Sequence, residues 1–210
     1  MANGETLRRR PAQRRSVERV ERMLDECARL LDEVGLDALT TKEVARRAGV
    51  PIGTFYQFFP DKQGLVRALA ARSLELLLAR FIARLAEADA AHWTDVTDLG
   101  IDEFAAMKRD TPGFGAIDLG AALGDDPVTR AGERLFEAVR EQDAAVADRL
   151  RALLGGPAGA DLDRALLVTV EAAGAVLKFA FRAAPEGDPA LIEECKRLAR
   201  RYLADRLPQV

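Results

Sequence analysis

Between Pro51 and Lys62 the chain sets out groups suited to gripping a polyanion rather than to breaking bonds. Tyr56 offers a phenol hydroxyl and Lys62 an ammonium, and both can donate to phosphate oxygens. Lys62 also opens what reads as a helix, whose N-terminal dipole favours anions. Ile52, Gly53, Thr54 and Gln57 are small, apolar or amide-bearing. A major groove accommodates such side chains, because the backbone there must come close to base edges. Phe55 and Phe59, at i and i+4, fall on the other face and would anchor the segment to a core. The parts needed for covalent chemistry are missing: the one His is His92, and there is no Cys/His cluster, HExxH, GxSxG or phosphate loop. The expectation is a binding protein, not an enzyme, with no cofactor and no metal.

The elements that must position these groups read as helices throughout, so the fold class is all-α. Val17, Val20, Leu24, Cys27, Leu31 and Val34 recur at three- and four-residue steps, one apolar stripe that ends at Gly35. Thr40-x-x-Glu43 is a capping box opening a short helix through Val44, Ala45 and Ala48. Ala48-Gly49-Val50 makes a turn in which Gly49 is free to take a positive φ. Pro51 starts another short helix that runs to about Phe59 and is closed by Pro60. Helix, tight turn and short helix over 41–59 match a DNA-binding helix-turn-helix. Asp61 then caps a helix from Lys62 through Leu85, whose middle (LELLLARF) suggests burial between a head and a body.

Residues 40–69, TTKEVARRAGVPIGTFYQFFPDKQGLVRAL, resemble the DNA-binding signature of the tetracycline-repressor (TetR) family. Thr40, the Ala48-Gly49-Val50 turn, Gly53-Thr54-x-Tyr56, Phe59, and Pro60-x-Lys62 with Leu65 fall in register. The resemblance implies a three-helix head and a helical ligand-binding and dimerisation body. It implies that Thr40 and Thr41, with Lys42, lie near the DNA backbone, and that Tyr56 and Lys62 hold phosphates. It also implies that Pro51, Ile52, Gly53, Thr54 and Gln57 face the bases. Pro51 stands where Ser is frequent in the family, and Ile52 where Arg or Lys often sits. A branched alkyl can touch a thymine methyl but cannot donate to guanine, so readout there is expected to tolerate A·T.

Charge divides the same way. Residues 1–67 carry thirteen Lys/Arg against ten Asp/Glu, a net of +3, and the remainder a net of −6. A basic arm over 1–13, with Arg8, Arg9 and Arg10 and continued by Arg14 and Arg15, could reach phosphates or the minor groove, or be a solvated tail. The domains expected are this arm, a helix-turn-helix at 14–60, a linking helix at 61–85, and a body at 86–210. No run approaches the ~18 apolar residues of a membrane span, and the N-terminus lacks the apolar stretch of a secretory signal. Cys27 and Cys195 read as buried free thiols in a reducing cytoplasm.

The body reads as helices over 94–108, 116–123, 127–154 and 162–182, with the GGPAGAD stretch at 155–161 as a connector and a last helix after Pro189. A ligand pocket there is implied by the resemblance. Candidate lining residues are Phe104, Met107, Phe114, Phe136, Phe179 and Phe181, though aromatics at helical spacing also make plain core. Glu171 lies inside an apolar run, so it needs a partner or a cavity, and Lys178, two turns on, could supply either an ion pair or a second ligand contact. Leu191, Cys195, Leu198 and Tyr202 repeat as a seam flanked by Lys196, Arg197, Arg200 and Arg201. With Leu166, Val170, Ala173 and Leu177 they form a candidate dimer interface; packing within one chain is the alternative. The functional expectation is a dimeric repressor that binds a palindromic operator in double-stranded DNA and is released by a small hydrophobic effector. The same head could serve an activator or an inverted-response regulator, and the body could be a DNA-independent binding bundle.

Overall fold

In the computed structural model, residues 14–88, 90–117, 140–141, 144–154 and 160–207 are described. Among them lie eight helices and no strand: α1 (Arg14–Ala38), α2 (Thr41–Arg47), α3 (Ile52–Phe58), α4 (Lys62–Glu87), α5 (Trp93–Asp110), α6 (Ala144–Leu153), α7 (Ala160–Ala183) and α8 (Pro189–Ala204). The chain forms two compact units, divided between Leu74 and Glu75 inside α4. The segment from Thr111 returns to the first unit. Of the expected helix at 116–123 only Ala116 and Ile117 are described, in a turn; its remainder, the first part of the expected helix at 127–154, most of the connector, and Phe136 lie outside the described residues.

The first unit is built on one face of α1, which buries Val20, Met23, Leu24, Cys27, Ala28, Leu30 and Leu31. Val17 and Val34, expected on the same stripe, remain exposed. Gly35 takes φ 74° and breaks the helix before a last turn that reaches Ala38. Thr40 caps α2 by accepting from the Glu43 amide at 3.2 Å. The reciprocal half of the box is replaced, because the Glu43 carboxylate receives Arg46 and Arg47 instead. Gly49, at φ 65°, closes α2. Its amide donates to Arg46 O at 3.2 Å, and that of Val50 to Ala45 O at 3.0 Å. Those two bonds are the Schellman pattern, with Val50 buried behind the turn. Arg22 Nε donates to Ala48 O at 3.2 Å, so α1 holds the turn from below.

The returning segment is fitted closely to α1. Gly113 donates its amide to Asp32 Oδ2 at 2.8 Å. It takes φ +74°, and a Cβ on it would come within 2.7 Å of Ala28 Cα. Both the backbone conformation and the approach of two main chains therefore require glycine here. Phe114, next in sequence, is buried in this unit.

In the second unit α7 packs along α8, and both meet α5. One core cluster joins Leu85, Trp93, Val146, Leu150, Ala165 and Leu203. A second joins Ile101, Ala105, Ala173, Leu177, Ala180, Ile192, Cys195 and Ala199. Charges are matched across helices: Asp102 with Lys196 at 2.7 Å and Asp98 with Arg200 at 3.1 Å. The nearly inaccessible carboxylate of Glu103 pairs with Arg80 and, at 3.1 Å, with Arg84. Arg149 on α6 caps the end of α4, donating to the carbonyls of Leu85, Ala88 and Ala90 at 3.2, 2.7 and 2.9 Å. The cation also meets the negative end of the α4 dipole.

Candidate nucleic-acid interface

α3 is too short to be stable alone, and its position is set by three rings rather than the two read from the spacing. Phe55, Phe58 and Phe59 are all buried, and the Phe55 ring lies 5.4 Å from that of Phe59. The helix ends at Phe58, one residue short of the expected end, with Phe59 extended as its C-cap. Pro51 is the N-cap rather than the first helical residue; its carbonyl accepts from Thr54 and Phe55 at 2.8 and 3.2 Å.

With the rings inside, Pro51, Ile52, Gly53, Tyr56 and Gln57 are exposed and Thr54 is half-buried. Ile52 keeps 42% and Tyr56 44% of their surface in solvent. The Tyr56 hydroxyl and Thr41 Oγ1 share a hydrogen bond of 3.2 Å, which joins the outer faces of α3 and α2. Thr40 and Lys42 are exposed alongside. The candidate DNA residues thus share one unit and lie at or near its surface.

Gly53 is informative. It needs no positive φ, and a Cβ built on it meets nothing within 4 Å. Glycine in a helix costs about 1 kcal/mol relative to alanine. Neither backbone conformation nor packing within the chain calls for glycine at this site.

Lys62 has a role within the fold that the sequence did not suggest. Its ammonium donates to the carbonyls of Leu36 at 3.0 Å and Asp37 at 3.4 Å, satisfying the end of α1. An ammonium has three protons, so one donor is left over for another acceptor. A charged lattice behind α2 adds rigidity: Arg47 reaches Glu33 at 2.7 Å and Glu43 at 3.1 Å. The hydrogen bonds from Arg46 and Arg47 hold the Glu43 carboxyl down to about 2.

Several body residues do not sit where the sequence placed them. Glu171 is exposed, so its charge is hydrated and requires neither a partner nor a cavity. Lys178 is exposed as well, and Phe179 keeps 51% of its surface in solvent. Phe114 belongs to the first unit rather than to the body. Met107 is fully buried, and Phe104 is partly buried against the α5–α7–α8 cluster. Arg14, at the start of α1, is exposed, and the arm before it lies outside the described residues.

Of the eight candidate dimer-seam residues, three are buried within the chain. Ala173, Leu177 and Cys195 are buried between α7 and α8, and Cys195 Sγ contacts Ala173 O at 3.8 Å. Lys196 and Arg200 are engaged with α5. Val170 and Leu198 face solvent, while Leu166, Leu191 and Tyr202 are partly buried. Burial pushes the Cys27 thiol up to about 12 and that of Cys195 to about 11, as expected of inert core cysteines.

The fold and this face define a helix-turn-helix protein carrying a separate helical unit. Residues 23–69 match the family described as bacterial regulatory proteins, tetR family, and residues 91–207 match the tetracyclin repressor-like C-terminal domain. The structure resembles that of a TetR-family transcriptional regulator from Streptomyces coelicolor, with a TM-score of 0.72 and 44% identity over 92% of this chain and 99% of that one. Two curated relatives are the transcriptional repressor KstR of Rhodococcus jostii and the uncharacterized regulator YvdT of Bacillus subtilis. KstR is 32% identical over 57% of this chain and 58% of its own length; for YvdT the figures are 35%, 40% and 42%. The matches therefore span only about two-fifths to three-fifths of those relatives' lengths. The chain belongs to the TetR family of transcriptional regulators.

Proposed function

We propose that the protein is a ligand-responsive repressor whose α3 enters the major groove of a palindromic operator. Gly53 carries this reading. It weakens an exposed helix for no reason inside the chain, so the missing side chain serves an external surface that must come close. Thr54 and Gln57 can donate to base edges, Ile52 can meet a thymine methyl, and Tyr56, Thr40, Thr41 and Lys42 can meet phosphates. The third Lys62 proton is available to a phosphate while the other two hold α1.

The functional form is a homodimer, because two recognition helices must lie about one DNA turn, ~34 Å, apart to read both half-sites. Val168, Val170 and Phe179 on α7 and Leu198 on α8 leave apolar surface in solvent that a second copy would cover. This replaces Ala173, Leu177 and Cys195 in the proposed interface. Effector binding in the second unit would favour a conformation that spoils the half-site spacing. The domains proposed remain the arm, head, linking helix and body.

The test is selection of the full-length protein against random duplexes, followed by titration of the selected site. Gly53→Ala should bind at least about tenfold more weakly while α3 becomes slightly more stable. Operator affinity unchanged in Gly53→Ala would sink the groove assignment. Ile52→Ala should relax the preference at one base pair, and an unchanged preference would remove Ile52 from the reading surface. Phe179→Glu should convert dimer to monomer in sedimentation.

A further inference from the structure

At the C-terminal end of α5 cations gather around aromatic rings. Lys108 Nζ lies 5.7 Å from the centroid of Phe104 and 5.8 Å from that of Phe181. These are cation–π distances. The Arg109 guanidinium stands 5.7 Å from the Phe181 ring, and its Nε donates to Glu186 O at 2.8 Å. That bond ties α5 to the turn between α7 and α8. In the same turn Gly187 takes φ +80°, and a Cβ on it would fall 2.8 Å from Phe181 Cε2. Main chain therefore presses on the ring and fixes it as one wall of the corner.

The cations of this corner differ from those paired with carboxylates between α4, α5 and α8. Arg80 and Arg84 share Glu103, Lys196 has Asp102, and Arg200 has Asp98. Lys108 is half-buried with rings beside it, and the charge that acts on it is that of Lys178. Burial first and Lys178 second hold its pKa below the ordinary lysine value, and no carboxylate among the described residues offsets them. A half-buried ammonium held against apolar rings gains from an anion that joins it, and the nearby charge of exposed Lys178 adds to that attraction.

We propose that this corner binds the carboxylate of an amphipathic effector. Lys108 pairs with the carboxylate, Lys178 adds a second positive charge, and Phe104 and Phe181 pack against the apolar part. The proposal rests on reading the second unit as the effector domain, and narrows the effector from hydrophobic to hydrophobic and anionic.

Calorimetry on the full-length protein with dodecanoate and 1-dodecanol, equal in chain length and different in charge, tests it. Dodecanoate should bind about tenfold or more tightly than the alcohol, as a charge-assisted pair in a partly dry site requires. Lys108→Gln should bring the two probes together, Lys108→Arg should keep most of the preference, and Lys178→Gln should reduce it by a smaller factor. Equal affinities in the unsubstituted protein, a preference that survives Lys108→Gln, or absence of saturable dodecanoate binding overturns the site. Release of the selected duplex is measured separately. Dodecanoate that binds through Lys108 yet leaves the duplex bound supports the site and defeats the effector reading. Release by a neutral ligand, undiminished in Lys108→Gln, defeats the site and leaves the effector reading standing.

Discussion

The two units use charge and aromatic rings in opposite ways. In the first, the rings of Phe55, Phe58 and Phe59 are buried as anchors, while the polar groups of α2 and α3 stand outside, within one short stretch of sequence. In the second, charges are drawn in between helices: Glu103 is buried under Arg80 and Arg84, and half-buried Lys108 lies against Phe104 and Phe181. A surface that must meet a long polyanion needs a rigid support and exposed donors. A site for a small molecule needs dry, convergent groups, which come from distant parts of a chain.

The largest effect that would break this contrast is loss of a ring anchor. Phe55→Ala should cost about 3–5 kcal/mol of stability in a denaturant melt and abolish duplex binding, since a cavity at that point frees α3. In the body, Arg80→Ala should cost about 2–3 kcal/mol, because Glu103 stays buried with only Arg84 as a partner. If Arg80→Ala were neutral, the buried charges of the second unit would be incidental.

Lys62→Met sharpens the role of a residue that serves both fold and interface. Stability should fall by about 1 kcal/mol from the lost contacts with α1. The salt slope of DNA binding should also drop by about one. A stability loss with an unchanged slope would make Lys62 a helix cap alone.

The smallest effect is that of acid on the lattice behind α2. The Glu43 carboxyl is held from its ordinary 4.5 down to about 2 by Arg46 and Arg47. Its contribution is therefore complete above pH 4.5 and is lost as pH falls from there towards about 2. Circular dichroism over that window should show a shallower acid loss in Glu43→Gln than in the unsubstituted protein.

The helix-turn-helix was legible in the sequence because its logic is local. A cap at Thr40, a positive-φ glycine at 49 and rings at i, i+4 act within a few residues of one another, and all are observed. What was missed there is small: Phe58 as a third anchor, and Lys62 tied to the end of α1. In the body, spacing misled. Glu171 sits in an apolar run and yet is exposed, because α7 buries only the face toward α5 and α8. Cys195 completes a dimer-like repeat and yet faces Ala173 within the same chain. Lys108 entered the sequence reading only as the end of the helix over 94–108, with no role of its own.

Sequence alone therefore determined that this protein carries a helix-turn-helix, and which face of α3 turns outward, since helical period and capping are short-range. Only the tertiary structure decided that Gly53 has no internal reason to be glycine, that Phe114 belongs with α1, and that Lys108 meets Phe181 across the unit. Those facts depend on which helices touch, and contact between distant segments leaves no period in a single sequence.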